Sequence, residues 1–127
     1  MTSASYALRV TCVLNLLAPW GFALYALASD AKFEPSDFGA TLAWMALGVA
    51  VVFAAVVHLV LPRVLPVDGD VPAAELPRRW LVRWQFGVSV PLFGLAAYTQ
   101  GASLGALLGC CVLGTALVAS VPPRAPA

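Results

Sequence analysis

Residues 91–104 read PLFGLAAYTQGASL, and this stretch decides the architecture. One apolar run ends at Tyr98, and a second begins at Ala102. Thr99, Gln100 and Gly101 between them leave space only for a tight turn, so the two runs return antiparallel. Upstream the first run extends back to about Trp80, with Arg83 and Gln85 in its opening turns. Downstream the second is free of charge to about Val121, where Pro122 and Pro123 stop it.

Two further runs precede this hairpin. The first covers about residues 10–28 without a charge, and the second about 38–61 with one titratable side chain, His58. Both are close to or above the roughly 20 apolar residues that a helix needs to cross a bilayer. The composition agrees: 61% of the 127 residues are hydrophobic and 10% charged, against about 25% charged in a soluble domain. So few charges could not cover a water-facing surface. The expected fold is an all-α integral membrane protein, a single domain over residues 1–127. Four transmembrane helices, at about 10–28, 38–61, 80–98 and 102–121, form two antiparallel hairpins joined by a loop over about 62–79. The first run has a rival reading, because Ala26-Leu27-Ala28-Ser29 resembles the cleavage site of a secretory leader. Its length exceeds the roughly 7–15 residues of a leader's apolar region, which favours a retained helix.

The net charge of +1 points to no nucleic-acid partner, but the placement of the charges is informative. Arg9, Arg63, Arg78, Arg79, Arg83 and Arg124 fall on one side of the four-span layout. Lys32, beside Asp30, Glu34 and Asp37, falls on the other. Cytoplasmic loops carry the excess of Lys and Arg, so both termini and the 62–79 loop are expected in the cytoplasm. The location expected is a bacterial inner membrane.

The opening stretch has an echo. Trp20-Gly21-Phe22-Ala23-Leu24-Tyr25 aligns with Phe93-Gly94-Leu95-Ala96-Ala97-Tyr98, and Gly39-Ala40-Thr41-Leu42 with Gly101-Ala102-Ser103-Leu104. Duplication of a hairpin and chance recurrence of small and aromatic residues are both open. Pro19 and Pro91 interrupt the first and third spans near their middles, where each removes a backbone hydrogen bond and kinks the helix.

Three groups of residues bear on function. Gly101, Gly105 and Gly109 recur at four-residue spacing, as do Ala46, Ala50 and Ala54. In lipid, small residues let helices approach closely, so these are expected packing faces. His58 continues the alanine row and is expected to turn into a helix interface. There Asn15, Gln85 and Ser89 form a polar intramembrane cluster with it, because polar groups in lipid need partners. Arg78, Arg79, Trp80, Arg83 and Trp84 read as an interface anchor, with Arg83 reaching out to the surface and anionic lipid headgroups as ligands. Tyr25 and Tyr98 mark the opposite interface.

Catalytic, metal and cofactor residues are expected to be none. All six carboxylates sit in loops, and a single histidine could not supply both axial ligands of a haem. Cys12, Cys110 and Cys111 read as small core packers. The layout is similar to that of the bactoprenol-linked glucose translocase family, but the resemblance ends there. His58-Leu-Val-Leu-Pro-Arg63 and Ser120-Val-Pro-Pro-Arg124 stand where that family carries an Asn-Arg-aromatic signature. The expected function is a non-catalytic accessory or assembly subunit of a larger membrane complex, with membrane lipids and other subunits, or copies of itself, as partners. The alternative is a small oligomeric transporter or a flippase for a lipid or polyprenol carrier.

Overall fold

The structure, a computed structural model, describes residues 3–29 and 33–121. The expectations about Asp30, Lys32, Pro122, Pro123 and Arg124 therefore lie outside the described residues. Every described element is helical: α1 (Ser3–Ala28), α2 (Asp37–Val64), α3 (Leu76–Thr99) and α4 (Leu104–Ala119). α1 and α2 are long and apolar enough to cross a membrane. α4 is apolar but has only 16 residues, about 24 Å of rise. α3 is longer, but Arg78, Arg79 and Arg83 fill its first two turns and leave a charge-free length of about the same 24 Å.

The buried positions of α1 are Leu8, Cys12, Asn15, Pro19, Ala23 and Ala26, a stripe that repeats every three or four residues as one face of a helix must. At one end of the molecule this stripe meets the end of α2 (Val57, Leu61), the start of α3 (Trp80, Trp84) and the end of α4 (Leu117, Val118). At the other end Ala23 and Ala26 meet Leu107 and Cys111 of α4, with Leu95 and Tyr98 beside them. Successive helices thus run in alternating directions.

α3 and α4 form the expected hairpin and make the most extensive helix pair. Gly101 in the turn has a φ of +103°, a conformation that disfavours any side chain. The close approach is made by small residues. A Cβ added to Gly114 would lie 2.5 Å from the carbonyl oxygen of Gly87 and 2.7 Å from Cδ of Pro91. One added to Gly94 would lie 2.6 Å from Cβ of Cys110. The expected first hairpin is not a packed pair: α1 and α2 each rest on the α3–α4 pair far more than on one another. α3 and α4 carry the glycines that permit close contact, so they make the centre and the other two helices flank it.

The two echoes have different surroundings. Gly94 is enclosed by Cys110, whereas Gly21 has nothing within 4 Å of its missing Cβ. Gly39 lies inside the first turn of α2, whereas Gly101 lies in the turn before α4. They meet each other instead: Ser36 caps α2 by accepting from the Gly39 N–H at 3.0 Å, and its hydroxyl donates to Gln100 O in the α3–α4 turn. The shared letters serve contact in one place and exposure in another.

Candidate functional site

The arginine-rich end is where the structure gathers most of its polar side chains. α3 starts at Leu76-Pro77, where a proline costs nothing because its missing N–H would have no helical partner. Arg79 and Arg83, one turn apart, then face the chain leaving α2. Arg79 donates to Pro66 O at 2.8 Å and pairs with Glu75 at 2.7 Å. Arg83 donates through Nη2 to Leu65 O at 3.1 Å. Two cations thus hold carbonyls at the C-terminus of a helix, where the helix dipole favours positive charge.

The tryptophans were expected as part of an anchor at the headgroup level, and the structure encloses both. Trp80 is 3% exposed and Trp84 0%. Their rings stack at 5.9 Å, and Trp84 Nε1 donates to Val121 O at 3.0 Å, tying the end of α4 to α3. Arg83 does not reach outward either. It is 7% exposed, with its guanidinium 5.6 Å from the Trp80 ring centre. The physical reason is that this face of α3 is covered from three sides, by α1, the end of α2 and the end of α4. Of the five anchor residues only Arg78 is exposed.

The polar cluster divides in two. Asn15, 8% exposed, donates to Thr11 O at 2.8 Å and accepts from Gln85 Nε2 at 3.2 Å, joining α1 to α3. Ser89, a turn further on, donates to the Gln85 carbonyl at 2.6 Å rather than to a side chain. His58 is elsewhere, exposed on α2, with Nε2 2.9 Å from Oγ of Ser120, the residue that caps the end of α4. The four-residue row that placed it with the alanines drifts by about 40° per step, so His58 stands about 120° round from Ala46. Val57 is the residue that keeps the face, at about 20°, and it is buried. Around it Val56–Val60 form a π turn closed by Leu61 N–H to Val56 O. Pro62 gives the reason: it has no N–H for the His58 carbonyl and its ring crowds that oxygen, so the ladder widens by one residue. Ser120 was missed by the sequence reading, although a hydroxyl two residues before the Pro122-Pro123 stop was the available signal.

His58, Ser120, Trp80 and Arg83, with Asp68 from the loop, line a cavity of about 310 Å³ at this end. A second opening, an apolar groove of about 560 Å³, runs between α2 and α4 toward the other end. Gly105 and Gly109 line it together with Ala43, Trp44 and Leu47. The glycine row was expected to be a packing face, and its members separate. Gly101 serves the turn, while a Cβ on Gly109 would meet nothing within 4 Å and one on Gly105 only Ser103 Oγ at 3.8 Å. Ala46 and Ala50 are buried against Val90 and Cys110, with Ala54 partly buried near the arginine-rich end. The vicinal cysteines face different helices: Cys110 packs on α2 and α3, and Cys111 donates to Pro19 O of α1 at 3.2 Å. Among the described residues no group of three or more His, Cys, Asp or Glu side chains gathers as metal ligands would.

No family model matches the chain, and no curated protein or solved structure matches it.

Proposed function

We propose that the chain is a small non-catalytic accessory subunit of a larger membrane complex. On this reading all four helices lie in a bacterial inner membrane, with the arginine-rich end in the cytoplasm, and one apolar helix of a partner protein docks between α2 and α4. The observation that carries this is the groove at Gly105 and Gly109. Small residues at helical spacing allow two backbones to approach in lipid, where no hydrophobic effect presses helices together. This chain uses other glycines, Gly87, Gly94 and Gly114, for its own packing and leaves these two uncovered. The walls beside them, Trp44 at 74% and Leu47 at 37% exposed, are apolar. The buried stripe along α1 further supports a retained bundle helix over a cleaved leader.

Purification in a mild detergent tests the reading. The chain is expected to leave the membrane in stoichiometric complex with a larger membrane protein. Gly109→Leu, whose Cβ would meet nothing within 4 Å, should fill the groove and release the partner while thermal stability is kept. Recovery of a lone homo-oligomer, indifferent to Gly109→Leu, would remove the basis for the proposal.

A further inference from the structure

We propose that the cavity at the arginine-rich end is a binding site for one phosphate group, free or carried on a lipid headgroup. The atoms that lack a partner there are of one kind. Arg83 Nε and Trp80 Nε1 are both buried, and neither has an acceptor among the described residues. Both side chains line the cavity and are more than nine-tenths buried. An unmatched donor away from water is costly, and two beside a fixed guanidinium charge call for an oxyanion. Arginine suits the role because its planar fork meets phosphate oxygens through more than one N–H.

Of the remaining walls, His58 and Ser120 add polar atoms and Asp68 adds an opposing charge. The Ser120 hydroxyl donates to Leu117 O at 2.7 Å, so in its contact with His58 it accepts, and Nε2 is the protonated ring nitrogen. His58 is thereby held in place as a further polar wall. The Arg83 side chain is fixed from two sides, by Leu65 O and by the Trp80 ring, so little of its freedom is left to lose on binding. A volume of about 310 Å³ admits a headgroup-sized molecule. Asp68 on the same wall sets a sign: its carboxylate opposes an anion, so removing its charge should tighten binding. This site is separate from the α2–α4 groove, and it stands or falls independently of the subunit reading.

The test uses the purified full chain in detergent. Inorganic phosphate is titrated calorimetrically, and phosphatidylglycerol retained through purification is counted by native mass spectrometry. One phosphate per chain is expected, weakened at least tenfold by Arg83→Gln, several-fold by Trp80→Phe, and strengthened by Asp68→Asn. Trp80→Phe keeps an aromatic face beside Arg83 while removing the Nε1 donor along with part of the indole, so it is a second variant that leaves the Arg83 charge in place. One retained phosphatidylglycerol that Arg83→Gln removes, with no response to inorganic phosphate, assigns the group to a lipid. Saturable phosphate binding without retained lipid assigns it to a free anion. If neither is bound, the site does not exist. If Arg78→Gln on the exposed surface weakens binding as much as Arg83→Gln, or Asp68→Asn weakens it, a diffuse basic surface is responsible and the pocket is overturned.

Discussion

A methyl group added to Gly109 and one added to Gly114 meet opposite surroundings, although both glycines lie on α4. At Gly109 there is open groove, and at Gly114 the carbonyl of Gly87 and the ring of Pro91 stand inside contact distance. Backbone and a proline ring cannot swing away as a flexible side chain would. Gly114→Ala should therefore lower stability by about 1–3 kcal/mol through overpacking. Gly109→Ala should raise it by about 0.5–1 kcal/mol, since alanine favours a helix over glycine. Unfolding by denaturing detergent, followed by helical circular dichroism, measures both. Equal effects at the two positions would mean that α3 and α4 do not cross as described. At this scale the sequence was partly legible. Asn15 and Gln85 stood out as lone amides in apolar runs, and they meet. His58 meets a neighbouring helix through Ser120, as expected, but stands apart from Asn15 and Gln85, because a four-residue row followed for three steps leaves the face it started on. Trp80, Arg83 and Trp84 could not be placed from local sequence, because interleaved arginine and tryptophan look alike whether lipid or three other helices cover them.

Helix ends carry the cross-links between elements. The start of α2 is fastened to the α3–α4 turn by Ser36, whose oxygen accepts from Gly39 N–H while its hydroxyl reaches Gln100 O. The Ser36 N–H also donates to Gly101 O at 3.3 Å. Gly101 permits this approach, because a side chain there would collide with Glu34 O and Ser36 and would have to adopt a φ of +103°. Ser36→Ala should cost about 1–2 kcal/mol as a lost helix cap, and Gly101→Ala at least about 1–2 kcal/mol as a strained left-handed residue. Both disrupt one contact, so the double variant should be less unstable than the sum by about 0.5–2 kcal/mol. Additivity within about 0.5 kcal/mol would show that the α2 start and the turn are not joined. The turn itself was legible in PLFGLAAYTQGASL, since three residues between apolar runs admit little else. The partner of that turn was not, because the letters at Ser36 describe a helix cap and say nothing of where its hydroxyl points.

The whole molecule is uneven in length. α1 and α2 can cross a bilayer, while α4 and the charge-free part of α3 rise about 24 Å each against a hydrocarbon core of about 30 Å. A short pair can still span where the bilayer thins around it, at a fraction of a kcal/mol per Å of mismatch. Close packing with the two longer helices gives the pair a reason to sit at their depth rather than on the surface. The proposed insertion of all four helices carries a definite sidedness. Glu34 and Gln100 are exposed at one end and Asp70 at the other. In a background with Cys12, Cys110 and Cys111 replaced, single cysteines at these three positions are treated with a membrane-impermeant maleimide in whole cells and then in lysed cells. Cysteines at positions 34 and 100 should react in whole cells, and one at 70 only after lysis, because the proposed orientation puts the arginine-rich end on the cytoplasmic side, where cations are in excess. Reversal of all three would turn the molecule over and leave the bundle intact. Reaction of positions 34 and 100 from opposite sides would break the contact between Ser36 and the α3–α4 turn, and with it the four-helix arrangement.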